Sequence, residues 1–136
     1  KGSVMKRVIS FLGAVCLCSG AAFGQAGGCE NAQDTVSMQA CLQQEYKVAD
    51  GALNAAYKAA MAHMQSIDAD LPKADQGAAA ALKSAQRAWI AVRDGTCKAE
   101  GYNWFGGSGR GIAVQSCLVR QTQLRADDLA ALASYE

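Results

Sequence analysis

Apolar residues recur every three or four positions along three separate stretches of the chain. In the longest stretch the apolar positions are Leu42, Tyr46, Ala49, Leu53, Ala56, Ala60, Met64 and Ile67. This spacing places them on one face of a helix of about seven turns or more. Asp34 or Thr35 is expected to cap its first amides, and Pro72 is expected to end it or to begin the next element. Gly51 should weaken this helix locally.

Two shorter stretches show the same spacing. The apolar positions are Leu82, Ala85, Trp89 and Val92 in the second stretch, and Leu118, Leu124 or Leu129, and Leu132 in the third. The alternation of apolar and polar residues that is typical of β-strands is absent. We therefore expect an all-α fold, a small antiparallel bundle of three main helices that bury their apolar faces against one another.

A glycine-rich segment separates the second stretch from the third. Residues 101–111 contain five glycines in eleven positions, a composition that disfavours a helix. We therefore expect a loop here, bracketed by Cys97 and Cys117.

The N-terminal region has the three parts of a secretory signal. Residues 5–7 form a short basic stretch, residues 8–18 form an apolar run, and residues 19–24 are mostly small. The apolar run falls short of the roughly 20 residues that a membrane-spanning helix needs. We expect no membrane anchor in the mature form.

Cleavage of this signal is expected between Gly24 and Gln25, with a neighbouring possibility at Ala26. Residues 1–24 would then be a signal peptide with an N-terminal extension, and residues 25–136 would form one domain. The expected location is the periplasm or the outside of the cell. Cleavage would remove three of the 13 basic residues and none of the 12 acidic ones, leaving a formal charge of −2. This weak negative charge argues against nucleic acid as a partner.

The expected mature domain retains four cysteines, Cys29, Cys41, Cys97 and Cys117. An even number in a small exported domain indicates a disulfide framework. We expect the pairs Cys29–Cys41 and Cys97–Cys117, because each would close a local loop at a helix end, although the sequence leaves the other two pairings open. The spacing lacks the close cysteine pairs of a zinc site, and the single histidine, His63, is remote from any pair. No metal or other cofactor is expected.

Candidate catalytic residues are few. Ser108 stands in a glycine-rich context, but the second glycine of a nucleophile elbow would have to be at position 110 and occurs at 111. His63 is expected to be a surface or boundary residue of a long helix. Asp68 and Asp70 are expected to lie in a solvated turn at a helix end. No enzymatic activity is expected.

Two polar motifs stand on the first and second helices. They are Ala49-Asp50-x-x-Leu53-Asn54-x-x-Tyr57 and Gln86-Arg87-x-Trp89-x-x-x-Arg93-Asp94-x-x-Cys97. A third segment has Cys117 followed by Thr122-x-x-Arg125-x-x-x-Leu129. Together with the glycine-serine segment, these motifs resemble the LprI-like lysozyme-inhibitor family, long catalogued as a domain of unknown function. The resemblance extends from Cys29 to about Leu132 and implies an exported helical protein that binds lysozyme.

The motif residues themselves are expected to be structural. Asp50, Asn54, Tyr57 and Arg93 are residue types that join helices through charge-assisted hydrogen bonds, and we expect them to meet in an inter-helix polar cluster. A ligand site is the alternative. Trp89 is expected to lie in the core.

Contacts to a partner are expected from the glycine-rich segment. The candidate partner-binding residues are Tyr102, Trp104, Phe105, Ser108 and Arg110, because binding hot spots favour tryptophan, tyrosine and arginine. In the alternative, Trp104 and Phe105 fold back and cap the end of the bundle. Other bacterial lysozyme inhibitors carry a Ser-Gly-x-x-Tyr signature, but here Ile112 occupies the tyrosine position.

The function expected from these features is that of an exported lysozyme-inhibitor-like binding protein that protects the bacterial cell wall. The alternative is a structural or adaptor module of the envelope that binds another protein or a glycan without inhibiting lysozyme.

Overall fold

A computed structural model describes residues 28–135, so the expected signal peptide and its cleavage site lie outside the described residues. The order of elements is a 3-10 helix at Cys29–Asn31, α1 at Thr35–Asp70, α2 at Ala78–Glu100, a second 3-10 helix at Gly101–Trp104 and α3 at Gly109–Ala133. The predicted all-α bundle of three main helices is confirmed. None of the helices in residues 28–135 combines the length and apolar character needed to cross a membrane.

Helix α1 begins and ends where local sequence signals place its boundaries. The Asp34 carboxylate accepts a hydrogen bond from the Ser37 amide (2.8 Å), and the Ser37 hydroxyl accepts one from the Asp34 amide (3.2 Å). This reciprocal pair satisfies two amides at the helix start. At the other end Leu71 is extended, as expected for a residue that precedes proline. Gly51 lies within α1 and does not interrupt it.

The segment between α2 and α3 is shorter and more helical than predicted. The expected loop over residues 101–111 contains a 3-10 helix and the first residues of α3, which leaves residues 105–108 as the linker. A Cβ added to Gly101 would lie 2.5 Å from Val114 Cγ2, so packing against α3 requires glycine there. A linker between α2 and α3 is confirmed, but its predicted extent was wrong, because tertiary contacts outweigh a propensity of about 1 kcal/mol per glycine.

Helices α1 and α3 run in the same direction, and α2 runs back antiparallel to both. Gln39 near the start of α1 lies against Gly111 in the first turn of α3. The core that the three helices enclose combines buried residues with half-buried ones around them. The buried members are Leu53, Ala60, Leu82, Ala126 and Leu129. Trp89 is half-buried against this core, as are Ala56, Tyr57, Met61, Met64, Leu132 and Ala133.

The buried faces of α2 and α3 differ in part from the predicted ones. Val92 is 64% exposed and Leu124 is 53% exposed, whereas Arg93 and Thr122 are buried. The prediction for Val92 was wrong because it took hydrophobicity as the guide to burial, and of the two alternatives Leu124 and Leu129 it is Leu129 that is buried. A polar side chain can lie on the inner face when hydrogen-bond partners are available there.

Both predicted disulfides, Cys29–Cys41 and Cys97–Cys117, are confirmed. Cys97 and Cys117 are completely buried. Cys117 lies about two turns into α3 and not at its start, because α3 begins earlier than predicted. Closing a loop of this length stabilises the fold by on the order of 3 kcal/mol in the chain-entropy model.

Asp68 joins the end of α1 to the start of α2 instead of lying in a solvated turn. Its Oδ1 accepts hydrogen bonds from the amides of Gly77 and Ala78, each at 2.8 Å, and its Oδ2 accepts one from the Ala79 amide at 3.0 Å. The hydrogen bond from Gly77, followed by those from Ala79 and Ala78, lowers the pKa of this carboxyl below its ordinary value of 3.8. The carboxylate therefore serves as the N-terminal cap of α2 from another helix.

We expect Asp68→Asn to lower the Tm at pH 7, because a neutral amide accepts these hydrogen bonds more weakly than a carboxylate. Since folding lowers the pKa of Asp68, its contribution is fully present above the ordinary value of 3.8 and is lost as the pH falls through the folded-state pKa. Below about pH 4 the difference in Tm between wild type and variant should therefore shrink. Thermal melts from pH 2 to 7 measure this, with Asp70→Asn as the matched control. A difference that does not change with pH would contradict the assignment.

Candidate functional site

Aromatic residues and one arginine form an exposed cluster at the end of the bundle where α2 turns into α3. The rings of Tyr102 and Phe105 are stacked, with centroids 5.9 Å apart and planes 9° from parallel. The Arg110 guanidinium carbon lies 4.6 Å from the centroid of Tyr102 and 5.3 Å from that of Phe105. Tyr102 is 54% exposed and Phe105 is 72% exposed. Tyr102, Trp104, Phe105 and Arg110 are called the aromatic–arginine cluster below.

Trp104 packs one part of its ring system on the start of α3. A Cβ added to Gly109 would lie 3.3 Å from Trp104 Cε3, so the indole lies over the glycine backbone. Trp104 also lines a shallow depression of about 410 Å³ together with Ile112 and Ser116. More than half of its surface, 58%, is nevertheless exposed. Trp104 therefore has a packing contact with α3 and a surface that is available to a partner.

Ser108 is exposed at the N-terminal boundary of α3, two residues before Arg110. The structure thus places all five candidate partner-binding residues in or beside the short linker. The stacking of the Tyr102 and Phe105 rings was not predictable from the sequence. The position of Arg110 over them depends on the turn at Gly106, which lies between Phe105 and Arg110 and whose φ of +84° favours glycine.

The base of the aromatic–arginine cluster is fixed by contacts between α2 and α3. The buried Cys97–Cys117 disulfide joins the last turn of α2 to α3. Arg120 Nη2 donates to Glu100 Oε2 at 2.8 Å, which forms a second cross-link at the same end. The cluster is therefore held on a constrained support rather than on a long loop.

The motif residue Arg93 is buried where the three helices meet. Its Nε donates to Asp94 Oδ1 at 2.9 Å, and its Nη1 donates to Thr122 Oγ1 of α3 at 3.4 Å. Its guanidinium carbon also lies 5.1 Å from the ring centroid of Trp89 and 5.7 Å from that of Tyr46 on α1. One side chain thus contacts groups from all three helices through hydrogen bonds and cation–π contacts.

A second cross-link between α2 and α3 lies beside Arg93. Arg125 Nε donates to Gln86 Oε1 at 3.0 Å, and the Arg125 guanidinium carbon lies 5.8 Å from the ring centroid of Trp89. We did not predict that Gln86, Thr122 and Arg125 would be hydrogen-bonded partners. The sequence nevertheless contains a pattern that indicates these contacts. Gln86 and Arg93 share a helical face with Trp89, and Thr122 and Arg125 are three residues apart.

The four residues of the predicted polar cluster line one groove, but Asp50 and Asn54 are hydrogen-bonded to each other whereas Arg93 is hydrogen-bonded to other residues. Asp50, Asn54, Tyr57 and Arg93 all border a shallow groove of about 310 Å³ between α1 and α2. Asn54 Nδ2 donates to Asp50 Oδ2 at 3.0 Å within α1. In residues 28–135 the carboxylate that pairs with Arg93 is that of Asp94.

The group that most resembles a metal site in residues 28–135 consists of Cys29, Cys41 and Glu45. The two sulfurs are bonded to each other in a disulfide and are therefore not available as thiolate ligands. His63 is half-buried on α1.

Comparison with known proteins identifies one family and several relatives. A family model described as Lysozyme inhibitor LprI matches residues 28–129. An uncharacterized protein of Rhizobium meliloti (strain 1021) is 39% identical over 104 residues, which cover 74% of this chain and 75% of that protein. The uncharacterized protein YecT of Escherichia coli (strain K12) is 35% identical over 66 residues, which cover 48% of this chain and 41% of YecT.

A solved structure has the same arrangement of helices. The crystal structure of a DUF1311 family protein (pp0307) from Pseudomonas putida KT2440 aligns with a TM-score of 0.64 and 26% identity. The alignment covers 77% of this chain and 98% of that one.

We expect Arg93→Ala to destabilise the protein by about 2 kcal/mol, through loss of the hydrogen bonds and cation–π contacts. A cost of 3 kcal/mol or more applies when a buried carboxylate is left behind, but the Asp94 side chain is 56% exposed and stays hydrated. Arg93→Lys should recover only part of the loss, because an ammonium lacks the planar donor geometry. Urea unfolding measures both effects, with the exposed Arg87→Ala as control. An Arg93→Ala protein as stable as wild type that no longer binds its partner would show that Arg93 serves recognition.

Proposed function

The chain belongs to the Lysozyme inhibitor LprI family, as the motifs predicted. From this family membership we propose that the protein is exported, binds lysozyme and thereby protects the bacterial cell wall. The proposed role is binding without catalysis. The predicted signal and the two disulfides support a location in the periplasm or outside the cell, where disulfides persist.

The observation that carries the proposal is the exposure of the aromatic–arginine cluster. Tyr102, Trp104 and Phe105 each expose more than half of their surface, although large apolar side chains are usually buried. A contiguous exposed apolar patch of this kind is typical of a surface that binds a partner. Tryptophan, tyrosine and arginine are also the residues that contribute most to protein–protein binding energy.

Arg110 supplies the charge for this contact. A glycosidase cleft holds two carboxyl groups on either side of the glycosidic bond that it cleaves. In the proposed complex the Arg110 guanidinium pairs with one of these carboxylates, and Trp104 or Phe105 occupies a neighbouring sugar subsite. The glycan substrate is then excluded from the cleft.

The constrained support beneath the cluster favours such a contact. Ordering a side chain on binding costs about 0.5–1.5 kcal/mol, and a preorganised surface avoids part of this cost. Here Arg110 already lies over two rings, and the Cys97–Cys117 disulfide fixes the adjoining helices. The disulfide therefore supports recognition as well as stability.

We expect Arg110→Ala and Trp104→Ala each to weaken lysozyme inhibition about tenfold or more, the effect of losing a binding hot spot. The measurement is the rate of cell-wall lysis by several lysozyme types across a range of inhibitor concentrations. Arg87→Ala, an exposed arginine on α2, is the matched control and should inhibit like wild type. Melting curves of each variant report folding, and a large loss of stability in Trp104→Ala would favour the capping role for this residue.

Two outcomes would contradict the proposal. Undiminished inhibition by both stably folded variants would place the lysozyme contact elsewhere on the molecule. Failure of the wild-type protein to inhibit any lysozyme type would instead favour an envelope structural or adaptor module.

A further inference from the structure

A groove bordered by amide and charged side chains separates α1 from α3 on one side of the bundle. It consists of two adjoining depressions of about 610 and 470 Å³ that share Gln43, Val114 and Gln115. One end is bordered by Gln39 and Arg110, and the other by Arg93 and Asp94 with Tyr46, Lys47 and Leu118. From position 39 to position 47 of α1 the groove is about 12 Å long.

The amide side chains along this groove are not used by the protein itself. Within residues 28–135, the side chains of Gln39, Gln43 and Gln115 form no hydrogen bond with another protein group. By contrast, the Gln76 amide donates to the Leu71 carbonyl, and Gln86 accepts from Arg125. A carboxamide offers two donor hydrogens and an acceptor oxygen. Three such groups side by side can pair with a ligand that presents hydroxyl and acetamido groups in alternation.

Apolar surface lies between these amides. Val114 and Leu118 are half-buried in the wall of the groove, and Tyr46 adds a half-buried ring with a polar tip. At the other end Gln39 Nε2 lies 2.8 Å from the point that a Cβ on Gly111 would occupy, so the missing side chain lets the amide lie against the backbone of α3. The groove thus combines amides with a larger apolar surface, a combination that suits the mixed polar and apolar faces of a sugar ring.

The charge of the groove indicates an anionic ligand. Arg93, Lys47 and Arg110 carry positive charge, and Asp94 is paired with Arg93. In the described part of the chain no carboxylate forms a salt bridge with Lys47 or Arg110. Two cations near opposite ends can therefore pair with carboxylates of the ligand.

An oligosaccharide fits this lining better than a peptide does. Peptides are commonly bound by addition to a sheet edge, or as a helix in a hydrophobic groove. The groove lies between two helices, so no sheet edge is available, and the apolar face of a bound helix would leave its amides and cations without partners. We propose that the groove between α1 and α3 binds an oligosaccharide of N-acetylated amino sugars that carries carboxylates, the chemistry of a bacterial cell-wall glycan strand. This site is separate from the lysozyme contact proposed for the aromatic–arginine cluster, apart from Arg110 at their border.

The test uses a soluble tetrasaccharide of alternating N-acetylglucosamine and N-acetylmuramic acid, titrated into the protein by calorimetry at low salt. Gln43→Ala should raise the Kd about fivefold, the effect of losing one neutral hydrogen bond. Lys47→Ala should raise it by a similar factor and reduce its dependence on salt concentration. Gln44→Ala, the neighbouring exposed glutamine outside the groove, should bind like wild type. A tetramer of N-acetylglucosamine, which lacks carboxylates, should bind at least fivefold more weakly than the acidic glycan.

Three results would overturn this proposal. They are no binding of the acidic glycan, equal binding by Gln43→Ala and wild type, or equal affinity for a tetraglutamate peptide, which would assign the groove to acidic peptides. The lysozyme assay decides separately on the aromatic–arginine cluster, because Gln43 and Lys47 lie outside it. Either proposal can therefore fail without the other.

Discussion

The arrangement of the three helices depends on the contacts that the buried guanidinium of Arg93 forms. The buried core contains several alanines beside its leucines, and alanine fills space but fixes helix register weakly. A buried charge has to be satisfied, and Arg93 is held by Asp94, its neighbour on α2, together with Thr122 of α3 and the ring of Tyr46 on α1. A slide of α1 or α3 by one turn would remove Tyr46 or Thr122 from the guanidinium and leave it with partners on α2 alone. The motif residues therefore favour one packing arrangement of the three helices.

This arrangement determines where the aromatic–arginine cluster is displayed. Cys97 follows Arg93 by four residues and so lies on the same face of α2, against Cys117 of α3. The disulfide in turn holds the ends of the segment between α2 and α3 that carries Trp104 and Phe105. The buried Arg93 and the exposed end of the bundle are thus linked through one face of α2, and the proposed lysozyme-binding surface depends on a helix register set one turn away.

The sequence predicts best those features that local chemistry controls. The limits of α1 follow from Asp34 and Pro72, and the disulfides close local loops, so both predictions are confirmed. The start of α3 and the inward position of Arg93 depend on contacts between helices, and the spacing of apolar residues alone does not predict such contacts. The five candidate partner-binding residues could be named from composition, but the stacking of their rings could not be predicted. The groove between α1 and α3 could not be predicted either, because Gln43 and Gln115 are distant in sequence.

Hydrogen exchange of the backbone amides, measured with and without bound lysozyme, tests the central claim most directly. Binding through the aromatic–arginine cluster predicts slower exchange in residues 101–111 and in the turns of α1 and α3 beside them. Exchange around Asp68 and Ala79 at the opposite end of the bundle should not change. Protection confined to that opposite end, or equal exchange in free and bound protein, would contradict the claim that this family member recognises lysozyme through the linker between α2 and α3.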